Sequence, residues 1–282
     1  MGIEKILYEE VNRLKETERK YETLVAIYDK HIPYHSKKME EITLEYIKET
    51  RPKYVLDGGD LLDNPGMSEF NPDPNNKRDT QEEIDLAVQY LNRIHNASPE
   101  STIVLIPGNH DVGRLERLKS IHGHGLKNLR NLEYFKLLKE SSEHQKLPLG
   151  KIQYTEKFEL GPGMIFVHGD PRMTPEIIGG INGPKRTADS AAYPEQHVVY
   201  GHGHKINTVS SKWSDRQVYQ VGGSLDVNHK GYTHLSKYQN GILVVHYNPN
   251  TRPKPTYHIQ NLVLGQNETM IIDGKEYGGY KK

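Results

Sequence analysis

Apolar residues in this chain are gathered into a few short, dense runs: LVAIY, YVLDGG, TIVLIPG, MIFVHG, HVVYG and GILVVHY. That bunching constrains the fold more than any other feature. Short apolar runs bounded by turn residues read as buried strands, because a helix buried as deeply would show a longer periodic stretch. The first three runs alternate with helical patterns: SKKMEEITLEYIKET, TQEEIDLAVQYLNRIHN and a stretch near 113–140. Such a β-α-β-α-β-α rhythm predicts an α/β fold with a mostly parallel sheet covered by helices. Beyond residue 150 short strands dominate, among them KIQYTEKFEL, RQVYQVG and PTYHIQNLV, joined by Gly, Asn and Pro turns. Two packed sheets with helices outside are therefore expected. Only 34% of the 282 residues are apolar, so these runs must supply nearly the whole core. None approaches the roughly 20 residues of a membrane span, and the amino end lacks the apolar segment of a signal peptide. The expectation is a soluble, cytoplasmic protein with no membrane partner. Residues 3–20 carry Ile6, Leu7, Val11 and Leu14 at helical spacing among alternating charges. This predicts an amino-terminal amphipathic helix (1–22) ahead of one domain (23–282). The polar, Pro/Asn-rich stretch 64–80 is the best substrate-facing loop.

Cysteine is absent, which excludes disulfides, thiolate nucleophiles and Cys-type zinc sites. A metal would have to be held by His, Asp, Glu or Asn. Lys+Arg and Asp+Glu balance at 37 each, unlike proteins that live on nucleic acid through bulk charge. The 15 histidines matter more. LVAIY is followed by Asp29 and His31, and YVLDGG by Asp60 and Asp63. TIVLIPG leads into Asn109, His110 and Asp111, MIFV into His168, and HVVYG into His202 and His204. Carboxyl ends of strands are where open α/β sheets build their sites. Each piece alone has an ordinary reading: D-x-H as a turn or cap, G-N-H-D as a hairpin turn, a lone His as a packed strand end. Together they would leave costly unsatisfied charges unless something binds them. Asp29, His31, Asp60, Asn109, His168, His202 and His204 are too many for one tetrahedral zinc. They suit two neighbouring divalent ions sharing a carboxylate, of the Mn, Fe, Zn or Ni kind rather than Mg or Ca alone.

In this order, D-x-H (29–31), G-D-x-x-D (59–63), G-N-H-D (108–111), His168 and G-H-x-H (201–204) resemble the calcineurin-like metallophosphoesterases. HIPYHSKK, HGDPR and YQNGILVV further resemble a phage and prophage branch, for which the location would be a host cytoplasm. The resemblance implies a four-layer αββα sandwich of two mixed sheets. It also implies two divalent metal ions, Mn²⁺ first, with Fe, Zn, Ni or Mg as alternatives. Asp29, His31 and His204 would hold one, Asn109, His168 and His202 the other, and Asp60 would bridge. His110 would protonate the leaving oxygen, and Asp63 would accept from its other ring nitrogen. Asp111, where many relatives carry Glu, would serve a loop contact. The implied activity is phosphoester hydrolysis by metal-bridged hydroxide attack, with nucleic acid or a nucleotide as the leading substrate of a phosphodiesterase. A phosphomonoesterase, or a binding protein without catalysis, are the other readings. His35, Arg114 and Arg172 are candidate phosphate contacts, with a solvated surface as the plainer reading. Tyr28, Tyr34 and Phe70 are candidate stacking residues. The HGH at 122–124 reads as a helix-connecting turn, with a substrate-edge role as the alternative, and Lys119, Lys127, Arg130, Lys136 and Lys139 as a solvated basic face rather than a nucleic-acid track.

Overall fold

Strand β1 (Glu22–Ile27) sets the layering. Val25 and Ile27 point into one core, Leu24 and Ala26 into another, and all four are buried. A strand covered on both faces belongs to the middle of a sandwich. The computed structural model describes residues 21–68, 79–123, 127–178, 182–190, 193, 195–226, 238–251 and 253–279. The expected helix at 1–22 lies outside them apart from its last two residues, and Glu22 already belongs to β1.

β1 runs parallel to β2 (Tyr54–Asp57), which is parallel to β3 (Thr102–Leu105) and through it to β4 (Lys151–Tyr154). The crossovers contain α1 (Lys37–Thr50), α2 (Thr80–Ala97), α3 (Arg114–His122), the single turn α4 (Lys127–Arg130) and α5 (Tyr134–Gln145). Ser36 caps α1 by accepting from the Met39 N–H at 3.2 Å, and Asp79 caps α2 by accepting from Glu82 at 2.8 Å. The second sheet has the order β5-β6-β7-β9-β8, from β5 (Phe158–Glu159), β6 (Met164–Phe166), β7 (His197–Tyr200), β8 (Asn207–Ser210) and β9 (Gln217–Gln220). Helix α6 (Gly183–Asp189) precedes β7. The chain then returns to the first sheet. β10 (Gly241–Asn248) pairs antiparallel with β1, and β11 (Thr256–Val263) with β10. A hairpin of β12 (Thr269–Ile272) and β13 (Lys275–Gly278) closes the described chain.

Three cores follow. Ile42, Tyr46, Leu91 and Leu138 pack on the outer face of the first sheet. Leu56, Val104, Phe166, Val199 and Leu243 fill the space between the sheets. Val198 and Val218 meet Ala188 of α6 on the far side. This is the αββα order, its fourth layer represented among the described residues by one short helix. The first sheet is built from both ends of the chain, so the change of composition near 150 does not mark a boundary between sheets: KIQY joins β3. The single helical stretch expected at 113–140 is three pieces. His122 and Gly123 end the first of them, as the connecting-turn reading expects, while His124 lies outside the described residues. Of the loop 64–80, residues 69–78, including Phe70, lie outside them too; Pro65–Met67 form one 3₁₀ turn.

Candidate metal and phosphate site

The ends of β1, β2, β3, β6 and β7 open on one edge of the sandwich, where their loops are stitched together. The Asp29 N–H donates to the Gly59 carbonyl at 3.0 Å and the His31 N–H to the Asp60 carbonyl at 2.8 Å. The His202 N–H donates to Asp29 Oδ2, and the His110 N–H to Asp60 Oδ1, each at 2.8 Å. Asp29, His31, Asp60, His202 and His204 all have left-handed backbone, with φ of 52°, 49°, 54°, 61° and 49°. Non-glycine residues avoid that region unless surrounding contacts impose it, and such strain collects at sites. Glycine makes the approach possible. Gly59 has φ of 103°, and a Cβ there would lie 2.6 Å from His168 Nδ1. A Cβ on Gly108 would lie 2.1 Å from Asp60 Oδ1. Asp111 ties the loops after β2 and β3, its carboxylate accepting from the N–H groups of Leu61 (3.3 Å), Leu62 (2.9 Å) and Gly108 (2.9 Å). That is the loop contact expected of it.

All seven residues read from the sequence meet here. Asp29, His31 and His204 form one buried group whose ligand atoms lie within 4.8 Å of one another; Asp60, His168 and His202 form a second. His31 Nε2 lies 3.3 Å from His204 Nε2. Asn109 Oδ1 lies 3.0 Å from His168 Nε2. Asp60 Oδ2 stands between the groups, 3.8 Å from His31 Nε2 and 3.4 Å from His168 Nε2. His110 Nδ1 lies 3.3 Å from Asp63 Oδ1 and 3.0 Å from the Asp63 carbonyl. The same carboxylate oxygen accepts from His31 Nδ1 at 3.1 Å, a closer contact that the sequence reading did not anticipate.

The donor set fits cations. His31 Nδ1–H points at Asp63, which turns Nε2 inward, and burial followed by the nearby His110 pulls His31 below its ordinary pKa. Burial and then His31 pull His204 down further. Two imidazoles kept neutral thus stand beside Asp29, whose buried Oδ1 accepts no hydrogen bond from the described residues. At the second group His168 Nδ1–H donates to the Gly58 carbonyl at 3.0 Å, so Nε2 faces two oxygens. Burial pulls His168 down, but Asp60 outweighs it and pushes the ring up to about 10. The pocket thus demands positive charge at that nitrogen, and a divalent cation supplies it more strongly than a proton. Burial also pulls His110 down; Asp60 and Asp63 outweigh it, with Arg114 opposing, and the ring titrates above its ordinary range.

Arg114 donates to the carbonyls of Asp63 and Asn64, and its Nη2 lies 3.3 Å from His110 Nε2. Arg172 is clamped on buried Asp170 through Nη2 at 2.7 Å. Both line a cavity of about 290 Å³ beside His110 and Asn109. A second cavity, of about 630 Å³, opens beside His202. A further cavity, about 1070 Å³ between α1, α2 and Gly278–Gly279, shares no residue with this centre.

Two expectations need correction. His35 is buried, with Nε2 2.7 Å from Glu40 and 2.9 Å from Lys37 Nζ, so that nitrogen is engaged within the protein and not by a phosphate. Tyr28 is fully buried between the sheets with its hydroxyl on the Val199 carbonyl, leaving no face for a base. What the sequence reading missed lies behind the centre. Lys30, between Asp29 and His31, turns inward over the Tyr90 ring at 4.2 Å. Burial pulls it down to about 8 while Asp57 and Glu40 hold its charge. Asp57 is pushed up by burial to about 7. The signal was present as a charged residue inside an apolar strand, YVLD.

A family model described as calcineurin-like phosphoesterase matches residues 23–234. The chain belongs to that family. It is accordingly a metal-dependent phosphoesterase, a hydrolase of phosphate esters. A search of curated proteins finds no match. Among solved structures, a Vps29 double mutant from Entamoeba histolytica is 13% identical, with 90% of this chain and 95% of that one covered and a TM-score of 0.42. Vps29 of Chaetomium thermophilum, complexed with a cyclic peptide, is 11% identical over 92% and 98%, at 0.44. The phosphoesterase Yfce from E. coli is 15% identical over 84% and 98%, at 0.37. At these identities and scores none of their chemistry transfers to this calcineurin-like chain. Among the described residues no helix is long and apolar enough to cross a membrane.

Proposed function

We propose that this chain is a dinuclear phosphodiesterase acting on nucleotides or nucleic acid, with Mn²⁺ as the leading metal. The observation that carries the reading is the pairing of two His/Asp groups, buried except for the half-buried His202, around one carboxylate, Asp60. Asp29, His31 and His204 would hold one ion, Asn109, His168 and His202 the other, with Asp60 shared. Divalent cations held by these residues would supply charge neutralisation of the phosphate and activation of water. The chain's own residues do the rest. Asp63 fixes the His31 and His110 rings by accepting from their Nδ1–H groups. That leaves His110 Nε2 toward the cavity, where it would deliver a proton to the leaving oxygen. The upward push on His110 keeps that proton available near neutral pH. Separate cavities beside His110 and His202 favour a diester, because a diester carries substituents on two sides of phosphorus and a monoester on one.

The test is turnover of bis-p-nitrophenyl phosphate against p-nitrophenyl phosphate with added Mn²⁺. A clear kcat/KM preference for the diester is expected. Preference for the monoester would replace this reading with a phosphatase, and metal binding with no turnover of either would leave a binding protein.

A further inference from the structure

The cavity beside His110 holds more positive charge than one scissile phosphate requires. Arg114, Arg117 and Arg172 line it against one carboxylate, Asp170. The three arginines are not equivalent. Arg172 is already paired: Asp170 accepts from its Nη2 at 2.7 Å and from its Nε at 3.1 Å. Arg114 gives Nη1 to the carbonyls of Asp63 and Asn64, while its Nη2 stands 3.3 Å from His110 Nε2. Arg117 gives Nη2 to the Met67 carbonyl at 3.0 Å, which steadies the fork without neutralising it. Among the described residues no carboxylate lies within ion-pair distance of it. A guanidinium has five N–H donors in a plane suited to two phosphate oxygens at once. Arg114 and Arg117 are three apart at the start of α3, so they share one face and reach the same cavity. Two like charges side by side are unfavourable unless an anion lies between them. The space, about 290 Å³, falls at or below the range for whole drug-sized ligands. It suits a fragment such as one phosphate group.

We propose that Arg117, supported by Arg114, forms a subsite for a second phosphate of the substrate, beyond the one being cleaved. The substrates are then phosphodiesters that carry a further phosphate on the leaving side. That phosphate would be the next internal linkage of a polynucleotide or a terminal phosphate on a short fragment. The inference rests on the phosphodiesterase reading above and adds the substrate feature that it left open.

The experiment compares kcat/KM for the dinucleotide TpT, its terminally phosphorylated forms pTpT and TpTp, and the trinucleotide TpTpT, in the metal-loaded full chain. Substrates with the extra phosphate should be favoured by about tenfold or more, largely through KM. Whichever arm is preferred identifies the internal or the terminal source. Arg117→Gln should bring the ratio to TpT near one, and Arg117→Lys should keep part of it, because a point charge replaces a fork. A wild-type ratio near one, or a loss in Arg117→Gln equal for TpT and the larger substrates, overturns the subsite. Bis-p-nitrophenyl phosphate separates the two failures, since its turnover needs no second phosphate. If it is not hydrolysed, the phosphodiesterase reading fails, and calorimetry decides the subsite alone. Thymidine 3′,5′-bisphosphate should then bind more tightly than thymidine 5′-monophosphate in wild type but not in Arg117→Gln, and equal affinities would overturn it.

Discussion

Asp60 offers one oxygen to the space between two histidines of different groups and the other to the His110 N–H. Its charge is held low in pKa although burial raises it, because His168 and His110 dominate. Asp60→Asn keeps the shape and one acceptor but removes the shared negative charge. On the dinuclear reading proposed above, metal content measured on the purified variant should fall below two ions per chain, or the affinity of one site should weaken by roughly 10–100-fold. Unchanged occupancy and affinity would remove Asp60 from the bridging position. Residues of this kind were legible in the sequence because each follows an apolar run directly, where a carboxylate or imidazole has no solvated explanation. Arg117 and Lys30 were not. An arginine on a polar helix reads as surface, and a lysine beside a turn gives no hint that it folds inward over an aromatic ring. The role of Asp63 was half legible: the family resemblance implied His110 as its partner, but only packing shows that one carboxylate oxygen serves both His31 and His110.

At the level of elements, the centre depends on two loops that share no regular hydrogen bonding. Asp111 stands where they would ladder, accepting from three backbone N–H groups of the segments after β2 and β3. Burial pushes this carboxyl up to about 6, with Asp60 adding to the push, while its bonds to Leu62 and Gly108 oppose it. Asp111→Ala would strand buried donors at about 1–3 kcal/mol each. A stability loss of about 3 kcal/mol is expected in chemical denaturation, together with weaker metal binding, since Asp60 and Asn109 lie on the released loops. Asp111→Asn retains an acceptor and should lose less. Full stability of the alanine variant would show that water replaces the carboxylate. The buried strands were readable as dense apolar runs and the long helices from periodicity. KIQYTEKFEL, read as one strand, is β4 and β5 in different sheets, and the short strands β8, β12 and β13 gave no such signal. The pairing of β4 and β10 was not readable either, because which edge a strand joins is decided by long-range packing of Ile152 and Val244 against helices, which no local window contains.

For the whole molecule, the two-sheet layout follows from runs apolar on both faces, whereas the polar joints between layers do not announce themselves. Glu40 on α1 is such a joint: it accepts from Arg93 of α2 and faces His35 at 2.7 Å, with the sheet-end pair Lys30 and Asp57 behind it. Burial raises its pKa, but His35 and Arg93 outweigh that and lower it from 4.5 to about 2. A carboxyl depressed in the folded state binds fewer protons than in the unfolded chain across that window. Its stabilising share is therefore complete above about pH 4.5 and lost as pH falls through about 2. Glu40→Gln should lower the thermal midpoint at neutral pH, by roughly 2–4 °C for each kcal/mol lost in a domain of this size. The difference between wild type and variant should shrink steadily between pH 4.5 and 2, where protonation makes the wild-type side chain neutral as well. A difference that stays constant over that interval would mean Glu40 acts through packing alone, and that the charge network does not couple the helical layer to the sheet beneath the metal site.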